Sequence, residues 1–408
     1  MRVLVLDGNE NQAVAATRSL ARAGYRVSVG ASERWSKAGW SRDAATSFVY
    51  PAPGSDPSGF VTRLVEELQS GGDAIVMPMT ERTTIPISLQ RDRISAAGGK
   101  LVLPPHNVLL AVFDKGGMTD LARSLGMAVP RSWVVDAETD VLQLARSLPY
   151  PVVLKPNVSQ ERTAAGGSAP TGAPLYAKDE AEFAATLAVL RRRCHSVLVQ
   201  EFVMGTGAGY FALMRNGELR GEFAHRRIRD VRPTGSGSAL RESVIPSSAL
   251  RDGSLALLKA VGWHGVAMVE FRVRPDGTPV FLEVNGRFWN SLALAVHAGV
   301  DFPLGMAILA ERGDVASLRA GRPGVRCRWL LGDLRHLASV WRGAPRGYPV
   351  AFPSRITTTL AVLNASRGTE HDNFSLRDPL PELGDFLHFF GRKVPAALFG
   401  KGKSGDGA

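Results

Sequence analysis

GVAMVEFRVRPDGTPVFLEVNGR, residues 265–287, reads as a β-hairpin. GVAMVEFRV and PVFLEVN are rich in β-branched and aromatic residues, and Asp276-Gly277 between them is a two-residue turn signal. A turn centred on that pair sets Glu270 opposite Glu283 and puts Asn285 on the face of Glu283, because side chains alternate with period two. Val269, Phe271, Leu282 and Val284 are then expected to point into a core. Two carboxylates facing each other across strands repel unless water screens them or a cation bridges them. Both readings are open. The cation reading makes Glu270, Glu283 and Asn285 an all-oxygen ligand set, suited to Mg²⁺ or Mn²⁺ rather than zinc.

Downstream, FWNSLALAVHAGVDFP (288–303) predicts one helix with Trp289, Leu292, Ala293 and Val296 inward, and His297 structural. Upstream, FAHRRIRD (223–230) groups His225, Arg226, Arg227 and Arg229, with Arg241 following in SALRESV. A strand over 222–228 would put His225 and Arg227 on one face and Arg226 on the other. This is an exposed basic edge, or a clamp in which guanidinium forks pair with carboxylate or phosphate.

Further back, YPVVLKP delivers Lys155 from the end of an apolar strand, where a lysine either snorkels or meets an anion. The next segment, NVSQERTAAGGSAPTGAP (157–174), is a surface loop or a lid whose N–H groups wrap a phosphate. A helix over 179–193 and the strand SVLVQEFV (196–203) follow. FDKGGMTDLARSLG predicts a helix ending at Gly126, and VPRSWVV a strand.

The chain opens MRVLVLDG, a strand and not a signal peptide. Strands at 2–6, 25–29, 74–77 and 100–103 alternate with helices at 10–23, 60–69 and from Thr80-Glu81, which predicts an α/β domain with a parallel sheet over residues 1–104. The DGNENQ turn lacks the G-x-G-x-x-G spacing, and no P-loop motif occurs. Asp7–Asn11 is therefore expected to be a plain βα connection. Met79, Thr80 and Glu81 follow a strand's carboxyl end, a common place for ligands in open sheets.

Composition bounds the partners. The formal charge of +11 makes nucleic acid the first one to consider. The basic residues are scattered arginines without a nucleic-acid motif, so anionic small molecules are the more economical expectation. Cys194 and Cys327 have no paired spacing, which suits a reducing compartment and structural thiols. No apolar run reaches the length of a membrane span.

Taken in order, DK at 114–115, VVLKP at 152–156, the Gly-rich loop, VQEFV at 199–203, AMVEF at 267–271 and FLEVNGR at 281–287 resemble the ATP-grasp superfamily. The resemblance is to carboxylate–amine ligases with a carbamoyl-phosphate-synthase-like ATP-binding half, over roughly Pro105 to Arg312. It implies an α/β fold, α+β in the ATP-binding half. A Rossmann-like pre-ATP-grasp domain would fill 1–104, the ATP-grasp N-subdomain with its lid 105–195, and the C-subdomain with the metal and substrate site 196–312. Residues 313–408 would be an extension packing on the core.

The resemblance also implies roles. Lys115 and Lys155 would contact ATP phosphates, with Gly166, Gly167 and Ser168 in the lid. Gln200, Glu201, Phe202 and Val203 would form the hinge that reads adenine. Glu270, Glu283 and Asn285 would hold Mg²⁺ (or Mn²⁺), two ions in all. Arg287 would face the transferring phosphoryl group. Similar basic residues in the family favour the clamp, which makes His225, Arg227 and Arg241 candidate catalytic residues.

The function implied is amide or peptide bond formation through an acyl phosphate, with ADP and phosphate released. The alternatives are another acyl- or carbamoyl-phosphate-forming enzyme of this family, or a nucleotide-binding regulatory module with degenerate chemistry. Expected partners are ATP, a carboxylic acid and an amine or amino acid, in the cytoplasm, with a homodimer admissible and no nucleic acid. The family's ribose-binding carboxylate has no counterpart in Gly205–Gly209. Beyond Leu318, GVRCRWLLGDLRHLASVWRG predicts an amphipathic helix. Its Trp329, Leu330, Leu334, Leu337 and Trp341 are expected to pack on the core rather than on a membrane surface.

Overall fold

The computed structural model describes residues 1–157, 160–162, 168–170, 174–192, 194–235, 237–345, 348–364 and 368–398, with backbone alone for 160–162, 168–170 and 391–398. Three main sheets organise the chain.

The first sheet is parallel, in the order β3-β2-β1-β4-β5. Its strands are β1 (Arg2–Val5), β2 (Arg26–Ala31), β3 (Thr46–Val49), β4 (Ala74–Met77) and β5 (Gly99–Lys100). Helices α1 (Asn11–Arg22), α2 (Pro57–Gly71), α3 (Glu81–Leu89) and α4 (Arg91–Ala96) connect them. Asp56 caps α2 by accepting from Gly59 N, and Phe60, Val61, Leu64, Val65 and Leu68 form its buried stripe. β5 is shorter than the four residues expected, since only Gly99 and Lys100 pair with β4.

Asp7, with φ of 55°, turns back across the sheet. Its carboxylate accepts from Met79 N (3.1 Å), Thr80 N (2.9 Å) and Thr83 Oγ1 (2.6 Å). The turn after β1 is thus a structural clamp between β1 and α3.

The second sheet is antiparallel, in the order β10-β7-β11-β6. The helix expected over FDKGGMTDLARSLG is α6 (Lys115–Ser124), and a further helix, α5 (His106–Phe113), precedes it, the two being separated because Asp114 leaves helical geometry and caps α6 through Gly116 N. There follow β6 (Ser132–Val135), α7 (Val141–Ser147), β7 (Val152–Pro156), the separate antiparallel pair β8 (Gln160–Arg162) and β9 (Ser168–Pro170), then β10 (Leu175–Ala177), α8 (Glu180–Arg191) and β11 (Val197–Glu201).

The third sheet has seven strands, in the order β16-β15-β12-β13-β14-β17-β18. They are β12 (Thr206–Arg215), β13 (Glu218–Asp230), β14 (Ser238–Val244), β15 (Gly265–Val273), β16 (Pro279–Asn285), β17 (Arg326–Arg328) and β18 (Thr369–His371). The helices are α9 (Ser248–Ala260), α10 (Leu292–Ala298), α11 (Phe302–Arg312), α12 (Leu330–Arg342), α13 (Arg355–Asn364) and α14 (Leu380–Leu398). Phe211, Phe223, Trp289 and Phe302 on this side share one core with Val3, Val14 and Leu20 of the first sheet's side.

Three expectations are corrected here. The predicted helix over 288–303 divides, because Gly299 takes a φ of 99° and Asp301 starts α11 by capping Leu304 N. In the hairpin, Glu270 does pair with Glu283, but through a bulge: Val273 pairs with Pro279, Phe271 with Phe281, and Leu282 is the extra residue. Phe281 therefore takes the core place expected for Leu282, packing edge-on against Phe271 at 6.2 Å. Finally, α12 buries Leu331, Asp333, His336 and Val340 and leaves Leu334 and Trp341 exposed. Asp333 sets that rotation, since it pairs with Arg229 of β13 and, at 2.7 Å, with Arg328 of β17.

Candidate active site between the second and third sheets

A cleft of about 440 Å³ separates the second and third sheets. Strand direction delivers its charged groups. Lys155 ends β7, Lys115 opens α6, and Glu270 and Glu283 face inward from the adjacent strands β15 and β16. Lys115 Nζ lies 3.0 Å from Glu283 Oε2, and Arg227 Nη2 lies 2.8 Å from Glu270 Oε1. Each carboxylate is thus held by a cation from outside its own hairpin.

The electrostatics follow from that packing. Burial, with help from Lys115, pushes the Lys155 ammonium down to about 8. Burial works against ionisation of Glu283, but Lys115 and Lys155 outweigh it and hold the carboxyl at about 2. Among the described residues the Lys155 ammonium has no ion-pair partner of its own.

Asn285 is buried at the far end of the hairpin, its Nδ2 3.4 Å from Glu283 Oε1. Arg287 donates to Asn285 Oδ1 (2.9 Å) and to the Phe288 carbonyl (2.8 Å), and its Nε is 3.7 Å from Glu81 Oε1. Glu81 is the residue that sequence reasoning left out of the site. Its place past the end of β4 was the available signal. Two carboxylates and one amide oxygen suit a hard divalent cation, which would take over the counter-charge now supplied by Lys115 and Arg227. Among the described residues no group of three or more His, Cys, Asp or Glu side chains clusters for a metal.

At the other end of the cleft lies the segment Gln200–Val203. Gln200 donates to Ser132 Oγ (2.9 Å), the Phe202 N–H bonds the Pro151 carbonyl (3.1 Å), and the Glu201 carboxylate is drawn to Arg131 at 2.8 Å. Phe202 packs edge-on against Tyr176 (6.0 Å) and Tyr348 (6.3 Å). Tyr348 was invisible as a neighbour because it comes from far along the chain.

The basic group divides. Arg227 enters the cleft and Arg226 points out to Glu242, as the strand alternation requires. Gly207 makes room for Arg227, since a Cβ there would stand 2.7 Å from the Arg227 Cδ. His225 is buried beneath the cleft, 3.4 Å from Ser291 Oγ and edge-on to Phe211. Burial, then Arg227 and Arg241, pushes its imidazole well below the ordinary range, so the ring is neutral.

Arg241 is corrected. It is fully buried on β14, paired with an equally buried Asp372 and beside Cys327, and it does not line the cleft. Its partner acid, distant in sequence, gave no signal. Gly166 and Gly167 lie outside the described residues, and Ser168 is described as backbone in β9.

No protein-family model matches the chain. Its sequence is 24% identical over 253 residues to the carbamoyl phosphate synthase large chain of Thermotoga sp. strain RQ2, covering 59% of this chain and 22% of that one. It is 28% identical over 203 residues to the large chain of Thermus thermophilus, covering 47% and 19%. The chain spans about a fifth of the length of these curated relatives.

Among solved structures, biotin carboxylase of Campylobacter jejuni matches with a TM-score of 0.61 at 16% identity, covering 80% of this chain and 74% of that one. L-amino acid ligase of Bacillus licheniformis gives 0.59 at 14%, covering 76% and 74%. N5-carboxyaminoimidazole synthetase of Staphylococcus aureus gives 0.59 at 14%, covering 80% of each. No single described helix is long and apolar enough to cross a membrane. The chain is thus similar in sequence to part of the carbamoyl phosphate synthase large chain, an ATP-grasp protein, and shares its fold with ATP-grasp carboxylate–amine ligases.

Proposed function

We propose that the chain is an ATP-dependent carboxylate–amine ligase working through an acyl phosphate. The observation that carries this reading is the paired charge lining the cleft, Lys115 with Glu283 and Arg227 with Glu270, beside a Lys155 that has no ion-pair partner among the described residues. Phosphoryl transfer is catalysed mainly by positioning and by neutralising charge on the transferred group, and this cluster can do both.

In this reading adenine sits against Gln200, Glu201, Phe202 and Val203, with Tyr176 as a side wall. The Phe202 N–H is already bonded, so the Val203 backbone reads the adenine edge. Lys115 and Lys155 hold the phosphates. Glu270, Glu283 and Asn285 would hold Mg²⁺ or Mn²⁺, which would supply positive charge to offset that of the phosphates. A substrate carboxylate oxygen attacks the γ-phosphorus of ATP, the bond to the β–γ bridging oxygen breaks, and ADP leaves. Arg287, held by Asn285 and Glu81, steadies the acyl phosphate. An amine nitrogen then attacks the acyl carbon, expelling phosphate and losing a proton, and an amide forms. Arg227 completes the cationic rim, while neutral His225 supports the floor.

The sequence relatives are named for carbamoyl phosphate synthesis. That favours, as the second reading, a carbamoyl- or other acyl-phosphate-forming reaction on the same residues. Cys194 and Cys327 form no disulfide, which suits a cytoplasmic setting. The test is ADP release by the purified chain with Mg·ATP against a panel of amino acids and small carboxylic acids, with and without added amines. ADP that requires both an acid and an amine supports the ligase. ADP that needs no amine supports the second reading, and ATP binding without turnover on any acid counts against both.

A further inference from the structure

The C-terminal helices are turned inside out. On α14, Glu382 and Asp385 face the body of the protein, where Asp385 takes the Lys37 ammonium at 2.8 Å and accepts from the Trp329 indole. The opposite stripe, Leu380, Leu383, Leu387 and Phe390, stands about half exposed. Helix α13 buries Thr358 and Val362 and presents Ile356 (73% exposed), Leu360 (61%) and Leu363 (70%) outward, at helical spacing. Helix α12 adds exposed Leu334 and Trp341.

These stripes belong to one layer. The Arg335 guanidinium of α12 lies 5.6 Å from the Phe389 ring of α14, and Trp341 Nε1 donates to Thr359 Oγ1 of α13 at 3.3 Å. Trp35, from the loop after β2, is 64% exposed and lines a surface hollow together with Leu387.

Charge follows the same inversion. Between Arg326 and Phe390 five of the six carboxylates are buried, those of Asp333, Asp372, Asp378, Glu382 and Asp385, and only Glu370 is exposed. Arg342 of α12, Arg355 of α13 and Arg377 ahead of α14 are exposed, whereas Arg326 is paired with Glu242. The outward face is therefore apolar and aromatic with a cationic fringe. An apolar surface of this extent marks an interaction site.

We propose that this face, formed by α12, α13 and α14 with Trp35, docks in the plane of an anionic membrane surface. A second copy of the chain would bring the same guanidinium fringe and almost no exposed acid to meet it, so like charges would face each other. A bilayer with anionic headgroups supplies both the apolar layer and the countercharge. Exposed indoles suit its interfacial zone.

The test is co-sedimentation of the full chain with phosphatidylcholine vesicles, with and without phosphatidylglycerol, at low and high salt. Tryptophan emission is followed in parallel. Two variants are compared, Ile356→Glu/Leu360→Glu/Leu363→Glu and Leu383→Glu/Leu387→Glu. All five positions are exposed, so both should keep the wild-type melting temperature. Wild type should bind the anionic vesicles, release them in high salt and shift its emission to the blue. Each variant should bind at least about tenfold more weakly. The proposal is overturned if folded wild type pellets with neither vesicle, or if both variants bind as wild type does. It is equally overturned by self-association that the variants abolish in a protein that ignores vesicles.

Discussion

The ammonium of Lys115, in the first turn of α6, lies 3.0 Å from the carboxylate of Glu283 on β16, the edge strand of the third sheet against which α6 packs. This pair ties the start of α6 to the metal-candidate hairpin. Any dication taken up by Glu283 must loosen it.

Glu283→Gln keeps the shape and the hairpin but removes the charge. Turnover should fall by about two to three orders of magnitude, the scale for loss of one preorganised electrostatic group. The melting temperature at neutral pH should fall while the fold survives, because no cavity forms but Lys115 and the buried Lys155 lose the carboxylate that balances them. Steady-state kinetics beside a thermal melt separate the two, and wild-type turnover would contradict the assignment.

Lys155 gives nucleotide binding a pH dependence of defined sign. Its ammonium titrates at about 8 in the free protein, so above that pH a phosphate must restore the missing proton. ATP affinity should decline as pH rises through about 8, with proton uptake on binding that is absent about two units lower. Calorimetry in two buffers of different ionisation enthalpy measures that uptake. Lys155→Met should abolish it.

The hairpin shows what could be read from sequence and what could not. Alternation with period two was enough to bring Glu270 opposite Glu283. It was blind to the bulge at Leu282, because two errors of one residue, in the turn and in the ladder, cancel at the carboxylates. Lys155 was legible because a lysine delivered by an apolar strand is locally anomalous, whereas Lys115 was named only through the resemblance of the ordered motifs. Arg241 was misread and α12 was rotated because their partners, Asp372 for one and Arg229 and Arg328 for the other, lie far away in the chain. Buried ion pairs override an apolar stripe, and local periodicity carries no trace of them.

Arg241 and Asp372 are both fully buried. Removing one partner strands the other, so Arg241→Met or Asp372→Asn should each destabilise the fold by about 3–5 kcal/mol. The double replacement should recover much of that loss. Equilibrium denaturation of the four proteins gives the coupling. If Arg241 instead belonged to the active site, Arg241→Met would lose turnover while its stability was preserved.

Glu382 sets a pH limit on the docking of α14. Burial, reinforced by Asp385 and Asp372 and opposed by Lys37 and Arg18, pushes its carboxyl from 4.5 up to about 7. Between those values the folded chain holds more protons than the unfolded chain. Its contribution is therefore full below 4.5 and is lost as pH rises through about 7. Glu382→Gln should flatten that slope, and its melting temperature should gain on wild type as pH is raised. Parallel melting curves against pH would contradict this.

The most direct measurement is trapping with hydroxylamine. The purified chain is incubated with Mg·ATP, the acid that drives ADP release, and hydroxylamine in place of the amine. An acyl phosphate should appear as a hydroxamate in step with ADP, and should disappear in Glu283→Gln. ADP formed with that acid but without hydroxamate, at any hydroxylamine concentration, would contradict an acyl-phosphate mechanism in this cleft.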